Sequence, residues 1–117
     1  MRPDSNVIES KAFVLRVIEF TATPGPRYRS EGKYSGQEFR EEFLEPRYKK
    51  ARSEGKTLIV DLDGTAGYAS SFLEESFGGL ARIYPMEEVL ETIQVKSDTR
   101  PWYVEEVMKE HIPESGD

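Results

Sequence analysis

The chain has 117 residues and a formal net charge of −6, with 37% hydrophobic and 32% charged residues, which predicts one compact domain with a modest core. It contains no cysteine, so disulfides and thiolate chemistry are excluded and a cytoplasmic location is expected. The acidic balance disfavours nucleic-acid partners, and no stretch approaches the roughly 18 apolar residues that would span a membrane.

The first predicted element is a strand. Residues 11–20 are rich in β-branched and aromatic side chains and predict one long strand, preceded by a short one around Val7 and Ile8. The polar ends of the domain, residues 1–6 and 113–117, are expected to be loose.

A loop over residues 21–34 comes next, because its Pro-Gly-Pro run prevents regular structure. It places Arg27 and Arg29 beside Tyr28 and Tyr34. Basic groups interleaved with aromatic rings could hold an anion or the acidic patch of a partner. A solvated loop whose tyrosines pack back on the core fits the same residues, and the sequence leaves both interpretations open.

The first helix is predicted from a capping box, in which Ser35 is the N-cap residue and Glu38 lies three positions later. Pro46 should end or kink this helix, and a second helical stretch should run to Gly55, a typical residue just past a helix end. The apolar run over residues 57–62 then predicts a strand that is covered on both faces.

A second capping box, formed by Ser71 and Glu74, predicts the start of a helix with an apolar face. Pro85 should end that helix. Gly78 and Gly79 fall in its middle, where a glycine costs about 1 kcal/mol relative to alanine. We therefore expect either the close approach of another element at these glycines or a break in the helix.

The remaining elements are a half-exposed strand over residues 91–97, with Ile93 and Val95 pointing inward, and a helix that starts near Asp98 or Thr99. The order is therefore β, long loop, α, β, α, β, α. Because the strands are joined through helices, the order predicts an α/β domain with mainly parallel strand pairing.

Two residues of the last predicted helix are the only ones of their type in the sequence. His111 is the only histidine and Trp102 the only tryptophan. Without a Cys–His, Ser–His–Asp or two-histidine pattern around it, His111 is interpreted as a packed or exposed residue without a chemical role. Trp102 fits either an exposed anchor for a partner or a core position.

The stretch Asp61-Leu-Asp63-Gly-Thr65 follows an apolar strand and resembles the first motif of the haloacid-dehalogenase phosphatases. That resemblance implies a first Asp that attacks phosphorus and a second that acts as general acid and base around Mg²⁺. Only Asp98 and Asp117 follow among the aspartates, and 54 residues remain after Asp63. We therefore interpret the two aspartates as polar residues at a strand end and keep a small Mg²⁺-dependent phosphatase as the alternative function.

The run Ser70-Ser-Phe-Leu-Glu-Glu-Ser-Phe-Gly78, together with Ser35-Gly36, resembles the bacterial STAS-like group DUF4325. The resemblance implies a single α/β domain over residues 1–117, with a small mixed or mostly parallel sheet and helices packed mainly on one face. It also implies a non-enzymatic regulatory domain that binds another protein. The group is distantly similar to the STAS anti-sigma-factor antagonists, whose partners include histidine-kinase-like ATPases.

In those antagonists a partner kinase phosphorylates a serine at a helix N-terminus, and Ser70 occupies the matching position. Ala69 stands where the antagonists have an acidic residue, and Phe72 where they have glycine. Ser70 and Ser71 are thus open to two interpretations, as helix caps or as candidates for phosphorylation beside Glu74 and Glu75 one turn on.

The resemblance and the basic loop together define a set of residues expected to bind a partner or an anion. This set is Arg27, Arg29, Ser35, Gly36, Phe72, Glu74 and Glu75. A third function class, an anion- or nucleotide-binding module, would use Arg27 and Arg29 with Ser70. No cofactor and no metal site are predicted, and the sequence does not set the oligomeric state.

Overall fold

The computed structural model describes residues 12–115. Its centre is a sheet of three parallel strands, β1 (Ala12–Arg16), β2 (Thr57–Asp61) and β3 (Ile93–Lys96), arranged in the order β1-β2-β3. The parallel pairing predicted from the alternation of strands and helices is confirmed.

Four helices connect and follow these strands. They are α1 over residues 36–54, α2 over residues 70–83, α3 (Met86–Thr92) and α4 over residues 102–115, and short 3₁₀ turns lie at Val17–Glu19 and Arg29–Glu31. Among the residues from 12 to 115, no helix has both the length and the apolar character needed to cross a membrane.

One face of the sheet carries the core. Leu15, Val60 and Val95 lie side by side in register on that face and are buried. On the opposite face Val14 is 55% exposed, and Ile59 beside it is only half-buried. The predicted arrangement with helices mainly on one face is therefore confirmed, whereas the expectation that β2 is covered on both faces is wrong.

The first strand is shorter than predicted. It ends at Arg16, where the chain turns, and the backbone N–H groups of Phe20 and Thr21 both donate to the carbonyl oxygen of Val17. The apolar residues of this turn are used for packing, since Val17 is fully buried. The strand predicted around Val7 and Ile8 lies outside the described residues, as do residues 1–6.

Two helices contain a proline, which the sequence predicted to end or kink the first helix and to begin a loose tail after the last one. Helix α1 does not end at Pro46, and α4 includes Pro113, so the expected loose tail is wrong for residues 113–115. In both helices a wide π turn, Arg40–Leu44 or Glu106–His111, comes shortly before the proline. The wider turn accommodates a ring that would clash with the carbonyl four residues earlier in a regular α-helix.

The element order contains one helix more than predicted. Helix α3 begins directly after Pro85, and Pro85 itself is its N-cap residue. The strand predicted over residues 91–97 starts only at Ile93 because Thr92 is still helical, while Ile93 and Val95 are buried as expected.

Candidate functional site

Ser70 is the first residue of α2 and its side chain is exposed, whereas Ser71 is half-buried. The N-cap residue is Ala69, which provides no side-chain hydrogen bond to the helix. The predicted capping box of Ser71 and Glu74 is therefore wrong, and so is the interpretation of the two serines as N-caps. Sequence reasoning placed the helix start one or two residues too late.

The hydroxyl of Ser70 instead takes part in a cluster with two residues of α4. Ser70 Oγ donates to Glu106 Oε2 at 2.5 Å, and His111 Nε2 lies 2.7 Å from the same carboxylate oxygen. Ser70 Oγ and His111 Nε2 are 3.5 Å apart. The side chains of Ser70 and His111, from two helices, thus converge on one oxygen atom of Glu106.

The chemistry of this cluster is that of a hydrogen-bonded carboxylate. Burial raises the pKa of Glu106, but the hydrogen bonds from Ser70 and His111 outweigh it and the net shift is downward. The geometry differs from a catalytic relay, in which the imidazole uses one nitrogen for the nucleophile and the other for the carboxylate. Here the single atom His111 Nε2 faces both groups.

The acidic pair that follows Ser70 along α2 is bound by arginines. Glu74 accepts hydrogen bonds from Arg27 and Arg82, and Glu75 pairs with Arg40 at 2.9 Å. Burial raises the pKa of Glu74, but the hydrogen bonds of the two arginines and Ser115 lower it to about 2. The negative charges of Glu74 and Glu75 are therefore balanced by arginines of the same chain.

Four residues predicted to bind a partner or an anion are buried. Ser35 and Phe72 are fully buried, Glu75 is 6% exposed and Gly36 is also buried. A direct contact with a partner does not fit this burial, and their roles are local. Ser35 caps α1 as predicted, because its Oγ accepts from the N–H of Glu38 at 3.0 Å.

The two arginines of the loop are paired with carboxylates of the same chain. Arg27 binds Glu74, and Arg29 contacts Glu41 at 3.0 Å and Glu42 at 2.9 Å. An anion at this loop would compete with those carboxylates.

The tyrosines of the loop remain largely outside the core. Tyr28 is 44% and Tyr34 is 42% exposed. The Tyr34 ring meets the Phe20 ring edge-on, with their centroids 5.7 Å apart. The expectation that both tyrosines pack back on the core therefore holds for only part of the Tyr34 ring.

Asp61 and Asp63 are used by turns at the carboxyl end of β2. Asp61 Oδ1 accepts from the N–H of Asp63 at 3.0 Å. Both carboxylate oxygens of Asp63 hold the loop after β3, through donors on Ser97, Asp98 and Thr99. These donors, led by the N–H of Asp98, keep the pKa of Asp63 below its usual range.

No metal site accompanies these aspartates within the described part of the chain. Residues 12–115 contain no group of three or more acidic, histidine or cysteine side chains arranged to hold a metal ion. The hydrogen bonds of Asp61 and Asp63 are those of turn residues at a strand end, as the sequence predicted.

Trp102 lies at the start of α4 and is 59% exposed. It precedes Glu106 by one helical turn, so the two residues share a face of the helix. The indole therefore projects from the surface beside the carboxylate that holds Ser70, which excludes the core interpretation of Trp102.

Glu106 and His111 are the members of the cluster that sequence reasoning missed. Ser70 and Glu106 are separated by 36 positions in the sequence, and no local pattern connects them. The available signal was weak: a lone histidine beside acidic residues on a predicted amphipathic helix.

Comparison with known proteins places the chain in a family. A family model described as a STAS-like domain of unknown function (DUF4325) matches residues 35–101. Searches of curated proteins and of solved structures found no match. The matched segment begins at the N-cap of α1, contains β2, α2, α3 and β3, and ends just before α4. Since it covers more than half of the sequence, the chain belongs to the STAS-like domain family DUF4325.

Proposed function

We propose that this chain is a non-enzymatic bacterial regulatory domain that binds another protein and is controlled by phosphorylation of Ser70. The observation that carries the proposal is the exposed Ser70 hydroxyl at the start of α2, in a chain of the STAS-like family. Its Oγ is not used as a helix cap, and its acidic neighbours Glu74 and Glu75 are compensated by arginines.

The modification is a phosphoryl transfer from a nucleoside triphosphate bound by a partner of the histidine-kinase-like ATPase class. A bond forms between Ser70 Oγ and the γ-phosphorus, and the bond from that phosphorus to the bridging oxygen breaks, so that a nucleoside diphosphate leaves. The hydroxyl proton passes to the carboxylate of Glu106, which already accepts its hydrogen bond, and then to water.

The surface for the partner is centred on Ser70 and Trp102. An exposed indole offers a large contact area, and tryptophan is enriched among residues that dominate binding energy. Because Trp102 lies one turn from Glu106, a protein that covers the indole also reaches the hydroxyl to be modified.

A pull-down of the tagged full chain from the lysate of its native host tests the proposal. Mass spectrometry should identify a histidine-kinase-like ATPase in the bound fraction and phosphate on Ser70. Trp102→Ala should remove the ATPase. Ile83→Ala is the matched control, because Ile83 is also exposed. It lies at the other end of α2, about 20 Å from Ser70 by the rise per residue of a helix. Absence of both the ATPase and the phosphate would overturn the proposal.

The phosphatase alternative has a separate test. A divalent-metal phosphatase assay with Asp61→Asn as control should show no activity that depends on Asp61. A robust activity lost in that variant would replace the binding function by the enzymatic one.

A further inference from the structure

Helix α4 is attached to α2 by polar contacts at two places. Near its start, Glu106 accepts from Ser70. At its end, Ser115 Oγ donates to Glu74 Oε2 at 3.0 Å and accepts from Arg82. The first attachment depends on a single neutral donor, whereas the second is part of the arginine and glutamate network.

An apolar seam lies between these two attachments. Val107 and Ile112 are fully buried there. Gly78 permits the approach, since a Cβ at this position would lie 2.5 Å from Ser115 Oγ and 3.1 Å from the carbonyl oxygen of His111. The end of α4 is therefore closely packed on α2, while the contact at Ser70 is at the exposed rim of the interface.

We propose that phosphorylation of Ser70 loosens the docking of residues 102–111 on α2, so that the C-terminal helix transmits the modification. This inference rests on the proposed function, because it describes what the phosphate at the same serine does. The family match ends before α4, so the inference links Ser70, inside the matched segment, to residues of this chain outside it.

The reason is that phosphorylation replaces the hydrogen-bond donor on Ser70 with a group of about two negative charges. Ser70 now gives one hydrogen bond to the Glu106 carboxylate. Phosphoserine has no hydroxyl to donate and carries a charge of about −1.5 to −2, so the attraction is replaced by repulsion between like charges. Glu106 also has only one other donor in the cluster, His111 Nε2.

His111 does not restore the contact. Its Nε2 lies within reach of both Ser70 Oγ and Glu106 Oε2, and one hydrogen on that atom serves one strong acceptor. If it turns to the phosphate, it forms one bond between α4 and residue 70, but Glu106 then loses its last donor in the cluster and faces the dianion directly. If it stays with Glu106, the phosphate and the carboxylate face each other without compensation.

The remaining attachments limit the change. The hydroxyl of Tyr103 accepts from the N–H of Tyr68 at 3.1 Å, and Ser115 remains bound to Glu74. Neither contact involves the phosphate. We therefore expect more frequent opening of residues 102–111 rather than loss of the helix, with Trp102 moving with its first turn.

Hydrogen exchange measured by mass spectrometry tests the inference on full-length protein with phosphoserine installed at Ser70. Exchange in residues 102–111 should rise at least about ten-fold over the unmodified protein, equivalent to about 1.4 kcal/mol. Phosphoserine at Ser71 is the matched control, because Ser71 takes no part in the cluster, and it should leave this segment unchanged.

A second variant links the effect to Glu106. Glu106→Gln in the protein phosphorylated at Ser70 removes one negative charge and supplies an amide donor, so protection of residues 102–111 should return. An unchanged exchange rate on phosphorylation of Ser70, or an equal rise on phosphorylation of Ser71, would overturn the inference.

The two proposals fail in different ways. If the lysate yields an ATPase and phosphate on Ser70 but the exchange of residues 102–111 is unaffected, the proposed function stands and the helix inference is wrong. If exchange rises while no ATPase and no phosphate are found in the lysate, the proposed function is wrong and the coupling between Ser70 and α4 stands.

Discussion

At Gly36 the first turn of α1 touches the backbone of α2. A Cβ built there would lie 2.6 Å from the carbonyl oxygen of Phe72 and 3.2 Å from the Cβ of Glu75. Real Cβ atoms do not approach backbone oxygens so closely, and the carbonyl belongs to a helix that cannot easily shift. The absence of a side chain at position 36 therefore allows α1 and α2 to approach each other this closely.

Gly36→Ala should lower the free energy of unfolding by about 1–3 kcal/mol, the usual cost of forcing extra volume into a packed region. Urea denaturation measures it, with Lys49→Ala on the exposed side of the same helix as the control. A variant as stable as the parent would show that the two helices can separate there without cost.

Asp63 provides a second prediction for a single residue. Its carboxylate accepts from Ser97, Asp98 and Thr99, so Asp63→Asn should lower the melting temperature and speed hydrogen exchange in residues 97–99. Asp98→Asn is the control, since its side chain is exposed and pairs only with Lys96 among the contacts described for residues 12–115. Equal effects of the two variants would contradict the role of Asp63.

At the scale of the elements, Glu74 ties the loop before α1 to α2. Arg27 comes from that loop, Arg82 from the last turn of α2 and Ser115 from α4, and all three contact the Glu74 carboxylate. One side chain thus connects three separate segments. Because two of its partners are guanidinium groups, the connection requires the ionised carboxylate.

This requirement predicts a dependence on pH. Because the folded pKa of Glu74 is about 2 and the unfolded value is 4.5, its contribution is present above pH 4.5 and is lost as the pH falls towards 2. Because Glu74 is partly exposed, solvent screens its ion pairs with the arginines. We therefore expect them to contribute about 1 kcal/mol to the free energy of unfolding, less than the full pKa shift would correspond to.

Acid titration of stability measures this contribution. Glu74→Gln should reduce the fall in unfolding free energy over that pH range, whereas Glu87→Gln on the exposed side of α3 should not. A variant that loses stability with acid as steeply as the parent would exclude Glu74 as the group that titrates.

Pro46 and Pro113 lie inside helices α1 and α4, and each follows a wide turn of its helix. In α1 the N–H of Glu45 reaches back five residues to the carbonyl oxygen of Arg40, and in α4 that of Ile112 reaches Val107. Each donor stands directly before a proline. The wide turn therefore ends directly before the proline ring. The helix continues through Pro46, where the sequence predicted an end or a kink, and through Pro113, where it predicted a loose tail.

For the molecule as a whole, the sheet has two unlike faces. The three parallel strands present Leu15, Val60 and Val95 to the helices, while Val14 on the other face of β1 is 55% exposed. Stability should therefore depend strongly on which face a substitution alters.

Two neighbouring residues of β1 test this asymmetry. Leu15→Ala should cost about 2–5 kcal/mol because it leaves a cavity in the core, whereas Val14→Ala should change stability by less than about 0.5 kcal/mol. Urea midpoints of the two variants provide the comparison. Similar losses for both would mean that the second face is covered in solution.

Much of this fold could be predicted because its signals are local. The alternation of Ile93 and Val95, the capping box at Ser35 and the apolar run of β2 each specify an element within a few residues. Helix α3 was missed because it follows a proline that sequence reasoning took only as the end of α2. The π turns before Pro46 and Pro113 were missed because each proline was taken only as a helix end, a kink or the start of a tail.

The candidate site was predicted only in part, for a physical reason. Ser70 could be chosen because it matches the position of a serine in the STAS anti-sigma-factor antagonists. Its partners Glu106 and His111 come from a helix more than thirty positions away. The same applies to Glu74, whose arginine partner Arg27 lies 47 positions earlier. Such pairings arise from the tertiary structure, and a single sequence does not contain a local pattern for them.

The order of the strands in the sheet follows their order in the chain. During synthesis from the N-terminus, β1 and β2 can pair before β3 has left the ribosome, and α4 is synthesised after the other three helices described in residues 12–115. Until α4 docks, the hydroxyl of Ser70 lacks the Glu106 carboxylate that it binds in the folded domain. The Ser70 side chain of a newly made chain is therefore less restrained than that of the finished domain.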